Sequence, residues 1–234
     1  MTVRRAMIFA AGRGDRMRPL TDTTPKPLLR VGGKRLIEHH LEKLAAIGID
    51  EVVVNISHLA GQFRPALGDG SRWGLSIAYS DEGPEPLETG GGIRRALPLL
   101  GDAPFIAVSA DIVSDYDYAR LPREPAGLAH LVMVPNPDFH PHGDFWLDGS
   151  RLNEEGAGER LTFGNIGVYR PELVAGQPDG RFKLLPMYQR AMREGRLSGE
   201  RHDGGWHNLG TPRQLAEADA AMRRLPGDPD QSLS

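Results

Sequence analysis

The chain contains no cysteine, which excludes disulfides, thiolate metal centres and cysteine nucleophiles. No apolar run approaches bilayer-spanning length, and the opening MTVRRAMIFAAG holds too few consecutive apolar residues for a secretory signal. A soluble cytoplasmic protein is therefore expected. There is no Lys/Arg block and the formal net charge is −3, which argues against a general nucleic-acid or membrane-surface binder. No internal repeat occurs, and no linker is long enough to separate one domain from another. A single domain over residues 1–225 is expected, followed by a tail, PGDPDQSLS, with no apolar face and an expectation of disorder over residues 226–234. No Ser-His-Asp spacing or nucleophile elbow is present.

What is present is alternation. RAMIFA (Arg5 to Ala10), EVVVNI (Glu51 to Ile56), LSIAYS (Leu75 to Ser80) and PFIAVSAD (Pro104 to Asp111) read as strands, the second continuous enough to be buried on both faces. Between them, LIEHHLEKLAAIG places Leu36, Ile37, His40, Leu41, Leu44 and Ile47 along one helical face with Gly48 as a stop, and GGIRRALPLL reads as a helix after a glycine-rich entry. Such strand–helix alternation predicts an α/β, doubly wound, mostly parallel sheet. Beyond Asp117 the rhythm changes. AGLAHLVMV and LTFGNIGVY read as strands separated by a turn-rich stretch, and RFKLLPMYQRAMREG and PRQLAEADAAMRRL as late helices, the last opened by Thr211 and Pro212.

The stretch between the first strand and the first helix concentrates glycine, proline and positive charge. In open parallel sheets ligands lie beyond the C-terminal strand ends, where this loop must sit. Gly12 and Gly14 allow close backbone approach to an anion, Arg13, Arg16, Arg18 and Lys26 supply charge, and Pro19, Pro25 and Pro27 stiffen the loop. These residue types suit a polyphosphate. The loop lacks a Gly-Lys-Ser/Thr ending, so it is not a Walker A loop, and Met17 stands where a Rossmann fingerprint wants its third glycine.

The string GRGDRMRPLTDTTPKPL resembles the signature of the sugar-phosphate nucleotidyltransferases, Gly-x-Gly-x-Arg-x-x-Pro-Leu-Thr followed by Pro-Lys-Pro. The resemblance implies a nucleotide-diphospho-sugar transferase fold of Rossmann-like type. It implies a triphosphate-binding loop with Ala11, Gly12 and Gly14 on the nucleotide, and Arg16 and Lys26 as the catalytic cations; Arg13 and Arg18 inherit no role. PLETGGGI resembles the family's Pro-Leu-Gly-Thr-Ala-Gly, which contacts the nucleobase, and so brings in Glu88, Gly90 and Gly91. Asp111, ending AVSAD, resembles the family's metal aspartate. WHNLGTP resembles Trp-x-Asp-x-Gly-Thr-Pro, so that Asn208 takes the place of a second metal-ligating aspartate. FGNIGVY resembles a strand that lies beside the sugar, with Asn165 on sugar hydroxyls. The family's Glu-Lys-Pro segment, whose lysine holds the sugar phosphate, is missing, and Lys183 is the remaining candidate for that contact.

Further segments, NPDFHPHGDF among them, resemble a short branch of the family that acts on N-acetylmuramate 1-phosphate in cell-wall sugar recycling, with Asp144 and its neighbours near the sugar. The chain shows no acyltransferase β-helix of the sort that follows this domain in bifunctional relatives. The function implied is transfer of a uridylyl group from UTP to a sugar 1-phosphate, with Mg²⁺ as cofactor. Two alternatives stand beside it: another NTP and sugar pair, such as mannose 1-phosphate with GTP, and a catalytically silent nucleotide-sugar binding module.

Overall fold

The computed structural model describes residues 3–156 and 158–223; the expected tail at 226–234 lies outside them. Nine strands form one sheet: β1 (Arg5–Phe9), β2 (Glu51–Ile56), β3 (Ser76–Asp81), β4 (Phe105–Ser109), β5 (Ala129–Val134), β6 (Phe145–Asp148), β7 (Arg151–Asn153), β8 (Glu159–Tyr169) and β9 (Leu197–Arg201). Their order across the sheet is β3-β2-β1-β4-β8-β5-β9-β7-β6. The first four are parallel to one another, as the alternation predicts. From β8 onward the sheet is mixed: β8 runs antiparallel to β4 and β5, while β9 runs parallel to β5. The hairpin β6–β7 lies inside the stretch read as turns, because strands of four and three residues carry too little pattern to register.

The four longest helices among the described residues flank the sheet and the cleft at its edge: α1 (Leu36–Ala46), α2 (Glu88–Leu100), α3 (Leu185–Arg193) and α4 (Pro212–Arg223). Alternate residues of each central strand face opposite cores. Ala6, Ile8, Val52, Val54, Ile106 and Val108 pack with Ile37, Leu41 and Leu44 of α1. Met7, Val53, Phe105 and Ala107 pack on the other face with Ile93 and Ala96 of α2 and Ala191 of α3. Burial on both faces is why β1, β2 and β4 read as continuous apolar runs. A third, smaller cluster joins Met17, Val31 and Leu36 to Leu209, Leu215 and Ala218, docking the glycine-rich loop on α4. The Gly32 N–H donates to Asp219 of α4 at 2.8 Å, closing the same contact.

The start of α2 carries three buried glycines, which cost helix stability unless packing requires them. Packing does. A Cβ at Gly91 would stand 2.1 Å from the Gly180 carbonyl oxygen, and one at Gly90 2.5 Å from the Phe182 ring. The backbone N–H groups of Gly91 and Gly90 donate to the Phe182 carbonyl at 3.1 and 3.0 Å. Gly91→Ala should therefore overpack this contact and destabilise the protein by about 1–3 kcal/mol, seen as a lower urea midpoint. Gly61, whose Cβ would meet nothing within 4 Å, is the control that should tolerate alanine.

Candidate active site

Strand β1 has β2 on one side and β4 on the other, so the chain winds away from it in opposite directions. A crevice opens beyond the strand ends at such a point. Here it is a cleft of about 500 Å³, walled by the loop after β1, the end of β4 and the start of α2. Of the residues singled out from sequence, Ala11, Gly12, Gly14, Arg16 and Lys26 line it from the loop, Asp111 from the end of β4 and Glu88 from α2. The two loop glycines differ in kind. Gly14 has φ +68° and a Cβ there would crowd Thr21 at 2.9 Å, so the fold demands it; a Cβ at Gly12 would project into open space, so its bareness leaves the cleft floor clear.

Lys26 is 9% exposed. Its Nζ donates to Asp111 Oδ2 at 2.5 Å, bridging the loop and the end of β4. Arg16 lays its guanidinium over Gly210, where a Cβ would meet Nη2 at 3.2 Å. The other two arginines are engaged elsewhere. Arg13 donates to the Pro84 carbonyl across the cleft at 3.2 Å, and Arg18 pairs with Asp15 and Asp22.

Under the loop runs a chain of hydrogen bonds whose side chains no sequence motif singles out. The Ala10 N–H donates to Asn55 Oδ1 at 2.7 Å, Asn55 Nδ2 to Glu82 Oε1 at 2.6 Å, and the Leu87 N–H to Glu82 Oε2 at 2.6 Å. Asn55 and Glu82 both line the cleft. Burial pushes the Glu82 carboxyl above its ordinary range, against the two donors that favour its charge. The only sequence signal for either is a polar residue near the end of an otherwise apolar strand and an acid just past the next one.

Other expected residues lie outside the cleft lining. Gly90 and Gly91 serve the packing against residues 180–182 described above. Lys183 is exposed on the segment before α3. Each Asp144 carboxylate oxygen has one partner, Oδ1 with His140 Nε2 at 3.0 Å and Oδ2 accepting from the Phe163 N–H at 2.8 Å, which ties the segment before β6 to β8. That strand, β8, bulges between Phe163 and Gly167, and Asn165 sits in the bulge at φ +57°. The last residue pair between β8 and β4 is Ile166 with Val108, which brings Asn165 beside the Ser109–Asp111 end of β4.

Asn208 lies in a two-stranded ribbon, Trp206–Asn208 against Ile112–Ser114, directly paired with Ile112. The Leu209 N–H donates to the Asp111 carbonyl at 3.0 Å. Asn208 Oδ1 is buried and has no hydrogen-bond partner among the described residues. Among those residues no cluster of three or more His, Cys, Asp or Glu could hold a metal alone. A carboxylate and an amide oxygen are donor types that a hard cation accepts beside phosphate oxygens; Asp111 lines the cleft, and Asn208 lines the neighbouring cavity with Val113 and Leu209.

A family model described as nucleotidyl transferase matches residues 5–136, the half that builds the cleft. A protein of Neisseria meningitidis named N-acetylmuramate alpha-1-phosphate uridylyltransferase is 49% identical over 92% of this chain and 97% of its own length. The chain belongs to the nucleotidyl transferase family. A Caulobacter vibrioides protein of the same name is 34% identical over 93% of this chain and 96% of its own length. A Bacillus anthracis structure described as a glucose-1-phosphate thymidylyltransferase, in complex with sucrose, superposes with a TM-score of 0.82 at 20% identity, covering 95% of this chain and 96% of that one. As a nucleotidyl transferase, the chain departs at Glu88 from the small residue of the family pattern. The backbone explains the small residue: φ at Glu88 is +64°, in the left-handed region, and Arg181 anchors the side chain at 3.0 Å.

Beneath the cleft, His40 of α1 is buried, and burial lowers its pKa from 6.5 to about 4. The folded protein therefore favours the neutral ring, and its contribution is complete above pH 6.5 and lost as pH falls towards 4. That window should cost up to about 3 kcal/mol of folding stability. Urea titrations at pH 7, 5.5 and 4.5 measure it, and His40→Gln should flatten the slope.

Proposed function

We propose that the protein transfers a uridylyl group from UTP to N-acetylmuramate 1-phosphate, releasing pyrophosphate, in the reuse of cell-wall sugar. The observation that carries the chemistry is the Lys26–Asp111 pair at the meeting point of the glycine-rich loop and the end of β4. A cation for phosphate and a carboxylate for a divalent metal lie within one contact of each other. The choice of sugar is supported by the two relatives of 49% and 34% identity that carry that activity in their names.

A sugar 1-phosphate is already ionised near neutral pH, so its oxygen attacks the α-phosphorus without a general base. The bond to the β-phosphate oxygen breaks and pyrophosphate leaves. The protein's role is positioning and charge stabilisation. Backbone at Ala11 to Gly14 approaches the phosphates; Lys26 and Arg16 offset the charge on the α-phosphate and the leaving group. Asp111 and Asn208 would hold Mg²⁺, which when bound neutralises phosphate charge. Glu82 has one lone pair per oxygen beyond its two donors. That acceptor suits a base with a ring N–H on its pairing edge, uracil or guanine, over adenine or cytosine. Asn165, beside the end of β4, would hydrogen-bond the sugar hydroxyls.

The direct test is pyrophosphate release with Mg²⁺ over four NTPs and the 1-phosphates of glucose, mannose, N-acetylglucosamine and N-acetylmuramate. Turnover should be confined to UTP with the muramyl ester; a different pair would move the substrate, and silence with nucleotide-sugar binding intact would make the protein a binding module. Lys26→Ala should lower kcat about 100-fold or more, and a variant within about threefold of wild type removes the role given to Lys26. Asn208→Asp adds a charge to the metal site and should lower the Mg²⁺ concentration needed for half-maximal rate.

A further inference from the structure

The hydrogen bonds beneath the glycine-rich loop have a direction. A backbone N–H can only donate, so the Ala10 N–H obliges Asn55 to turn its Oδ1 towards the loop. The amide is rigid, and its Nδ2 is thereby aimed at Glu82 Oε1, 2.6 Å away. The other Glu82 oxygen accepts from the Leu87 N–H, again a group that can only donate. A protonated carboxyl would set its O–H against one of these donors, so the arrangement holds Glu82 as an acceptor alone.

The surrounding fold keeps this geometry in place. Asn55 of β2 stands in register with Phe9 of β1 on one side and Ser80 of β3 on the other. The Glu82 N–H donates to the Ile56 carbonyl at 2.9 Å, which fixes its backbone to the same strand. Both side chains are buried at the wall of the cleft. Gly92 of α2 packs directly on the pair: a Cβ there would stand 2.6 Å from Glu82 Oε1 and 3.0 Å from Asn55 Nδ2. Gly90 and Gly91 are bare for the segment at residues 180–182, and Gly92 is bare for Asn55 and Glu82.

We propose that Asn55 is a positioning residue for nucleobase choice: it relays the donor polarity of the Ala10 N–H to Glu82 and so fixes Glu82 as an acceptor-only reader of the base. The proposal rests on the role given to Glu82 above and makes Asn55, acting through it, a determinant of specificity. Uracil offers its ring N–H to such an acceptor. Cytosine turns a lone pair to the same place, and a buried acceptor left without a donor is costly.

Calorimetric binding of UTP and of CTP, each with Mg²⁺, tests this without any need for turnover. The wild-type protein should prefer UTP by about tenfold or more. Asn55→Ala should cut that preference about fivefold by weakening UTP more than CTP, and adding it to Glu82→Gln should cost no further preference, since Asn55 acts through Glu82. Equal weakening of both nucleotides, losses that multiply in the double variant, or a change confined to the melting temperature each overturns the proposal. If Asn55→Ala does not fold, Gly92→Ala crowds the same pair from α2 and decides in its place, with the same loss of preference expected. A wild-type protein that binds the two nucleotides alike sinks the role of Glu82 and the proposal together. One that prefers UTP yet releases no pyrophosphate sinks the proposed turnover alone, and the variants still decide the role of Asn55.

Discussion

The contact on which the cleft depends is the one between Lys26 and Asp111, 2.5 Å apart. It joins two pieces of chain separated in sequence by most of the parallel sheet, the loop that leaves β1 and the end of β4. Neither group would gain much as an exposed ion. Lys26 is buried in the turn Lys26–Leu28, and Asp111 stands just past the end of β4. In the protein without ligand each satisfies the other. A phosphate and a divalent cation are the two partners that could replace that contact with a pair of their own.

Around this contact the protein keeps the loop rigid by using distant sequence. The hydroxyl of Thr21 donates to the Gly14 carbonyl, His58 meets the Thr21 carbonyl, and Met17 is buried against Leu209 and Leu215. The last helix, at the far end of the described chain, therefore shapes the first loop. Its own start is braced by Gln214, which accepts from the Gly210 N–H at 2.9 Å, next to the Arg16 guanidinium. Preorganisation of this kind lets charge stabilisation act without rearrangement.

The glycines of the loop and of α2 are there for different physical reasons. Gly14 answers to backbone conformation, Gly91 to the passing segment at residue 180, and Gly12 to empty space. All three sit in glycine-rich strings that look alike on paper.

The amino-acid sequence by itself determined the parallel half of the sheet, since strands buried on both faces announce themselves as apolar runs and the intervening helices by their period. It also determined the loop, because glycine, proline and cation at fixed spacing form a local pattern that needs no partner to be recognised. Tertiary structure alone decided the rest. Asn55 and Glu82 become cleft residues only when β2 and β3 are laid beside β1. The bond from the Phe163 N–H to Asp144 and the packing of Gly90 and Gly91 against residues 180–182 likewise join residues well separated in the chain. His40 reads as one more position on the buried face of α1. Its placement beneath the cleft follows from the way that helix crosses the sheet, which no local pattern encodes.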